Sequence, residues 1–461
     1  MTHPLLEQIL DRVDALDPLH AFPGVDEIRA TADRLAADHA AAIARTVIGT
    51  SRLGEEIVDY AIGEGPAILV IGGVHPNEPI GFHTALELLR DLAHGRGPAA
   101  GIGARWHIVP CIDPDGTRLN EGWFAEPGDR VSYGRAFYRP APLEQVEWSF
   151  PLDHGGIVWD TPIPETRALM SLMDATRPAL VVGLHNAELG GVYYYATPDL
   201  AEAIPALHAI PAHLGLPLDL GEPEFAGIEP LGEAVFRALT ASDMIDVLRA
   251  EGIDPAPHVT AGGTGDYARV LGASAFVAEL PYWAHPAADD TSPGGVDYAE
   301  VLRRKADALD AVGAVLLRAV ERAEPHLTIE SQLRRASIAF ARFLAGSGDE
   351  ARQRAALDSS AREATVAEVF SNEDHVRMFQ LRFGSMLART LRAEVTAGTA
   401  APAVREALAE LEPHLEDWYA AARAAQRELR VIPIEKLVGV QLGTVLAASH
   451  TALARRREPV A

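Results

Sequence analysis

The chain has 461 residues, 48% of them hydrophobic and 23% charged, with 39 Gly, 32 Pro and one Cys, proportions that exclude a disordered, collagen-like or disulfide-built protein. Its 40 Lys and Arg against 65 Asp and Glu leave a formal charge of -25, which repels phosphate backbones and anionic membrane surfaces and argues against nucleic-acid or membrane partners. One core of this length is unusually large, so a main domain with additions is expected. Residues 1–21 lack the basic start and unbroken apolar run of a signal peptide, and no later segment reads as the roughly 20 apolar residues of a membrane span. A lone Cys111 cannot form an internal disulfide. These features point to a reducing, cytoplasmic setting.

From residue 5 to 45 apolar residues recur every three or four positions, broken by Pro18, Pro23 and Gly24, which predicts two short helices. Residues 56–62 and Ala67-Ile-Leu-Val-Ile-Gly-Gly73 read as strands, 83–94 as a helix, and 105–112 as another strand ending in the turn Asp113-Pro-Asp-Gly116. Strand, helix and strand in that order make a βαβ unit, hence a parallel sheet covered by helices. Residues 122–164 are rich in aromatics, glycines and prolines and read as a long irregular excursion. A helix over 164–176 and short strands over 179–184 and 274–280 follow. The partition expected is an N-terminal helical arm (1–50), a catalytic α/β domain (51–325) and a C-terminal helical domain (326–461) with no evident chemistry of its own. Its apolar stripe, for example Leu437, Val440, Leu442 and Val445, reads as core.

His75-Pro-Asn-Glu78 follows one predicted strand and precedes a helix, and the carboxyl ends of strands are where α/β sheets bind ligands. A His and a Glu three apart across such a turn can face one cation, two-thirds of a His₂Glu catalytic zinc site. Gly72 and Gly73 allow a close backbone and Pro76 stiffens the turn. A second His-x-x-Glu, His185-Asn-Ala-Glu188, follows the run 179–184. The two histidines can meet if their strands are neighbours. A three-ligand zinc also needs a carboxylate to take a proton from its water. Glu279, in Phe276-Val-Ala-Glu-Leu-Pro281, is an acid inside an apolar strand and therefore needs a partner, either this site or an arginine.

Gly72-Gly-Val-His-Pro-Asn-Glu78, Asp113-Pro-Asp-Gly116, Pro178-Ala-Leu-Val-Val-Gly-Leu-His185 and Glu279-Leu-Pro281, in this order, resemble the zinc carboxypeptidase family of the carboxypeptidase A type, over roughly residues 67–283. The resemblance implies a mixed eight-stranded sheet between helices. It implies one zinc ion per chain on His75, Glu78 and His185, and Glu279 as the general base.

The sequence departs from that pattern in two places. No Asn-Arg pair stands where the family holds the substrate's terminal carboxylate; the nearby cations are Arg118, Arg130, Arg135 and Arg139. Arg139, in Tyr138-Arg-Pro140, is the candidate carboxylate clamp or oxyanion stabiliser, against the reading of an ordinary surface arginine. Arg118 and Arg135 are candidate substrate contacts. His258 stands where the family's phenolic Tyr would be and can donate a hydrogen bond in its stead.

Other polar residues have simpler readings. The acids of Glu144-Gln-Val-Glu-Trp-Ser-Phe150 can recognise an amine or merely pack a loop. Glu188 competes with Glu78 for the metal role, and Asp113 and Asp115 make a turn or orient a ligand His. Cys111 reads as an inert buried thiol.

The expected activity is zinc-dependent hydrolysis of an amide bond in a peptide or small amide substrate. One alternative is a zinc amidohydrolase of N-acyl amino acids, of the aspartoacylase or succinylglutamate desuccinylase sort. Another is a non-catalytic binding or assembly protein on a decayed hydrolase fold. The helical domain is expected either to cover the site or to join copies into a homo-oligomer.

Overall fold

The β-branched runs of the sequence lie side by side in one mixed sheet of nine strands. They are β1 (Ile43–Thr50), β2 (Glu56–Ile62), β3 (Ala67–Gly72), β4 (Arg105–Val109), β5 (Leu180–Leu184), β6 (Tyr193–Ala196), β7 (Pro230–Gly232), β8 (Val235–Arg237) and β9 (Ser274–Glu279). The computed structural model describes residues 3–222, 228–250, 254–256 and 258–457. The sheet order is β1-β2-β4-β3-β5-β9-β6-β8-β7. Strands β4, β3, β5 and β9 run parallel at its centre, while β1, β2, β6 and β7 each make antiparallel pairings. Central strands buried on both faces must be continuously apolar, and Ile68, Leu69, Val70 and Ile71 are all fully buried. The mixed sheet flanked by helices is the expected class. The strand count is nine where the resemblance implied eight.

Helices α1 (His3–Asp14), α2 (Val25–Asp38), α3 (Ile80–Ala93), α4 (Pro164–Thr176) and α5 (Ile204–Leu214) flank the sheet. The arm is not wholly helical, because β1 lies within residues 1–50 and pairs with β2. Its periodicity is weak because it is an edge strand with only Ile43 buried.

The helices after the sheet are α6 (Tyr298–Ala323), α7 (Gln332–Leu344), α8 (Gly348–Ala355), α9 (Val366–Ala397), α10 (Pro402–Ala425) and α11 (Ile434–Arg457). Helices α6 to α10 pack on one another, so the helical unit takes in residues 298–323. Helix α11 leaves it and packs on α1, α3, α5, β5 and β9. By length and composition alone residues Ile434–Arg456 could cross a membrane, contrary to the sequence reading, but 89% of the apolar window is buried within the fold. Gly439 and Gly443 allow this close approach: a Cβ on Gly439 would lie 3.1 Å from Leu214, and one on Gly443 would lie 3.1 Å from Ile9 and from Ile210.

Candidate metal centre

Three parallel neighbours, β3, β5 and β9, end at the same edge of the sheet, with Gly72 and Ala278 both in register with Leu184. That edge brings the metal-ligand candidates together. His185 directly follows β5, Glu279 is the last residue of β9, and His75 lies in the turn after β3. The turn needs glycine, since Gly73 has φ +69 and a Cβ on Gly72 would meet the Pro110 carbonyl at 2.3 Å.

His75 Nδ1 lies 3.0 and 3.2 Å from the Glu78 oxygens and 3.1 Å from His185 Nδ1. His185 Nδ1 is 3.1 Å from Glu78 Oε2. All three residues are buried, and they form a group able to hold a metal ion. Donor spacings near 3 Å match the edge of a tetrahedron around zinc, roughly 3.3 Å for Zn–N bonds of about 2.05 Å.

The charges favour a cation as well. Glu279 Oε1 lies 3.8 Å from His185 Nδ1, and Glu147 Oε2 lies 3.2 and 3.6 Å from the Nε2 atoms of His75 and His185. Three carboxylates thus surround two imidazoles, with Arg139 Nη1 3.0 Å from Glu78 Oε1. Burial opposes charge on His185, yet Glu147, Glu78 and Glu279 push it up to about 10. Burial and then Arg139 pull His75 below its usual value. The Glu78 carboxyl is held well below the carboxylate range, against its burial, by the two imidazoles. A donor set of this sign attracts a proton or, better, a divalent ion.

Supporting contacts fix the geometry. The Asn186 amide donates to Glu78 Oε2 at 3.2 Å, and Asn186 Oδ1 accepts from the Ile80 amide and the Tyr282 hydroxyl. Arg139 Nε also donates to Gln145 Oε1 at 3.2 Å.

The remaining candidates lie elsewhere. Arg118 is tied to Asp26 and Glu55. Arg135 is half exposed and stacks over Tyr419, 4.6 Å from the ring centre. Both are held by surface acids or aromatics and do not line the cavity at the metal centre. His258 is exposed and does not line it either; its place in the sequence pattern does not bring it to the site. Glu188 is taken by Arg130 Nε and Arg382 Nε, both at 2.9 Å, which removes it from competition for the metal. Asp113 caps the Gly116 amide, Asp115 accepts from Ser51 and Leu53, and neither touches a ligand His. Burial pushes the Cys111 thiol up to about 12, consistent with an inert group.

The centre opens on a cavity of about 620 Å³ whose other wall belongs to the helical unit. On α9 the residues Ser371, Asp374, His375, Met378, Phe379 and Arg382 line it at helical spacing. Asp374 grips Arg130 with two bonds of 2.6 Å, joining this wall to the excursion 122–164. The helical unit therefore covers one side of the cavity. Its signal was present in the sequence, as charged residues set into the stripe of α9, but nothing in it said which surface that stripe faces. Glu147 was visible only as one acid among several in a loop.

Residues 28–136 match the zinc carboxypeptidase family, a stretch that holds His75 and Glu78 and ends before His185 and Glu279. The likeness first seen in the motifs is thus found again by comparison, and it supports a metallopeptidase-type hydrolase. No curated protein matches the chain. Among solved structures, carboxypeptidase A from Helicoverpa armigera is similar, with 13% identity and a TM-score of 0.38 over 76% of this chain and 79% of that one. Bovine thrombin-activatable fibrinolysis inhibitor, solved in complex with tick carboxypeptidase inhibitor, has 12% identity and a TM-score of 0.38 over 56% and 86%. A metallo-carboxypeptidase from Pseudomonas aeruginosa has 17% identity and a TM-score of 0.32 over 54% and 58%.

Proposed function

We propose that the protein is a zinc-dependent hydrolase that cleaves an amide bond in a short, carboxypeptidase-type substrate. The observation that carries this reading is the buried meeting of His75 Nδ1, His185 Nδ1 and the Glu78 carboxylate within 3.2 Å of one another, with Glu279 beside them. Zinc held on those three side chains would supply a Lewis acid that polarises a carbonyl and acidifies a water. Glu279 takes the proton of the attacking water on a carboxylate oxygen and returns it to the amide nitrogen as the C–N bond breaks. Arg139 spends Nη1 on Glu78 and Nε on Gln145, which among the described residues leaves Nη2 for a substrate carbonyl or carboxylate. Glu147 Oε2 stands 3.2 and 3.6 Å from the two Nε2 atoms, neither of which makes a hydrogen bond among the described residues, and is the carboxylate placed to accept from them and favour the orientation that turns Nδ1 toward the ligand position.

The wall formed by the helical unit supports short substrates, since about 620 Å³ is the size of a small-ligand pocket. This favours keeping the deacylase of N-acyl amino acids as the second reading. Elemental analysis of purified protein should give one zinc per chain, lost in His185→Ala. Glu279→Gln should retain the zinc and lose at least about a hundredfold in turnover. Free peptides, C-terminally blocked peptides and N-acyl amino acids assayed side by side decide between peptidase and deacylase. Full turnover in Glu279→Gln would overturn the mechanism, and absence of zinc after reconstitution would leave the non-catalytic alternative.

A further inference from the structure

The cavity wall opposite the sheet carries two cationic side chains, Arg382 and Lys305, and an imidazole, His375, kept neutral by burial and by both of them, which the proposed chemistry does not use. Arg382 is only 9% exposed. Its Nε serves both Tyr133 Oη at 3.0 Å and Glu188 Oε2 at 2.9 Å, and its two terminal nitrogens make no hydrogen bond among the described residues. It lines the same cavity as Glu78 and His185, and its partner Glu188 lies three residues after His185. His375, seven residues earlier on the same face of α9, sits against the edge of Phe379 with ring centres 4.3 Å apart. Seven residues of helix span roughly 10 Å. Lys305, on α6, also lines the cavity and its charge acts on His375.

Lys305 is the unusual member of the row. No carboxylate oxygen lies within 4.0 Å of its ammonium among the described residues. Its acidic neighbours are Glu222 and Glu350. Glu222 is already held by Arg354, by Tyr298 Oη at 2.7 Å and by Asn372 Nδ2 at 3.0 Å. Glu350 faces Arg354 at 4.0 Å. The helical wall also carries Leu309, Phe343 and Phe379, with Arg354 and His375 as its other basic side chains besides Arg382. Burial pulls the Lys305 ammonium below its usual value, and an anionic ligand in the cavity would supply the counter-charge that restores it. In a chain of net charge -25 such a cation inside a cavity is not part of a general positive surface.

Resting on the hydrolase reading above, we propose that this row binds an acidic substrate, with Lys305 receiving a substrate carboxylate inside the cavity on which the metal centre opens. A carboxylate fits better than a phosphate dianion, because Arg354 is neutralised by Glu222 and Arg382 shares Glu188, which leaves little positive charge beyond that of Lys305. Aromatic side chains that line the cavity, Phe343, Phe370 and Phe379 among them, would pack against the substrate and exclude water, which strengthens the charge contact.

The test uses matched peptides with Glu or Gln at each of three positions on either side of the scissile amide. Binding is measured by calorimetry on the zinc-loaded Glu279→Gln protein, so it does not depend on turnover. One position should favour Glu over Gln by about tenfold. Adding Lys305→Met should abolish that preference, and adding Lys305→Arg should keep it, with thermal unfolding unchanged in both. No preference for Glu at any position, or a preference that survives Lys305→Met, overturns the proposal. Turnover of the same peptides by wild type is read separately: preferential binding without cleavage would sink the hydrolase reading and leave the acidic site standing.

Discussion

Gln441, on the last helix, donates from Nε2 to the backbone carbonyl of His185 at 2.9 Å, while its Oε1 accepts from Thr84 Oγ1 on α3 at 2.8 Å. A fully buried side chain from the C-terminal end thus holds a metal-ligand candidate in place from behind the sheet. Gln441→Leu leaves the His185 carbonyl without that partner. The expected loss is about 1–3 kcal/mol in urea unfolding, with zinc affinity, read by competition with a chelating dye, reduced by roughly tenfold. Unchanged zinc affinity would show that α11 supports the fold alone.

Glu147 approaches both imidazoles on the side away from Glu78. Glu147→Gln keeps the shape and removes the charge. Zinc affinity should fall by about 10–100-fold, the usual cost of losing a carboxylate that orients ligand histidines, with the stability of the metal-free protein little changed. Equal zinc affinity in the variant would assign Glu147 to loop packing.

The pairing of Arg130 with Asp374 and Glu188 is wholly buried and spans the excursion, the strand end and the helical unit. Arg130→Met leaves two buried carboxylates short of a partner and should cost about 3–5 kcal/mol. Adding Asp374→Leu should recover part of that loss, because one unpaired charge goes with it. Additive losses in chemical unfolding would count against a shared network.

Glu394, on α9 and 1% exposed, accepts from the Ile329 amide at 2.7 Å, from Thr328 Oγ1 at 2.8 Å and from Thr399 Oγ1. Burial opposes its charge, but these donors bring its carboxyl down to about 2. A folded value below the unfolded one contributes stability that is present above about pH 4.5 and lost as the pH falls toward 2. Glu394→Gln should therefore be less stable than wild type by about 1–3 kcal/mol at pH 7, and the gap should narrow below pH 4. A gap independent of pH would mean that the charge of Glu394 contributes nothing.

Much of the sheet was legible because its central strands are apolar throughout. Residues 56–62, 67–72 and 180–184 form strands close to where the β-branched runs placed them, and the helix expected over 164–176 spans Pro164–Thr176. The edge strand β1 was not legible, since a strand exposed along most of its length has no apolar face to announce it. The ligand candidates His75, Glu78 and His185 could be named because each sits just past such a run. Arg118, Arg135 and His258 could not be placed by the same logic. They lie in or near irregular segments, where spacing does not determine direction.

What the sequence determined by itself was local: which segments become strands, where each ends, and which polar residues stand at those ends. Periodicity and turn chemistry act over a few residues and are written in the chain. What only the tertiary structure decided was adjacency. That β3, β5 and β9 are neighbours, that α11 returns beneath the sheet to His185, and that α9 turns Asp374, His375 and Arg382 toward the cavity all depend on contacts between segments separated by tens to hundreds of residues. An apolar stripe fixes that a helix is buried but not against what, because the hydrophobic effect carries no direction.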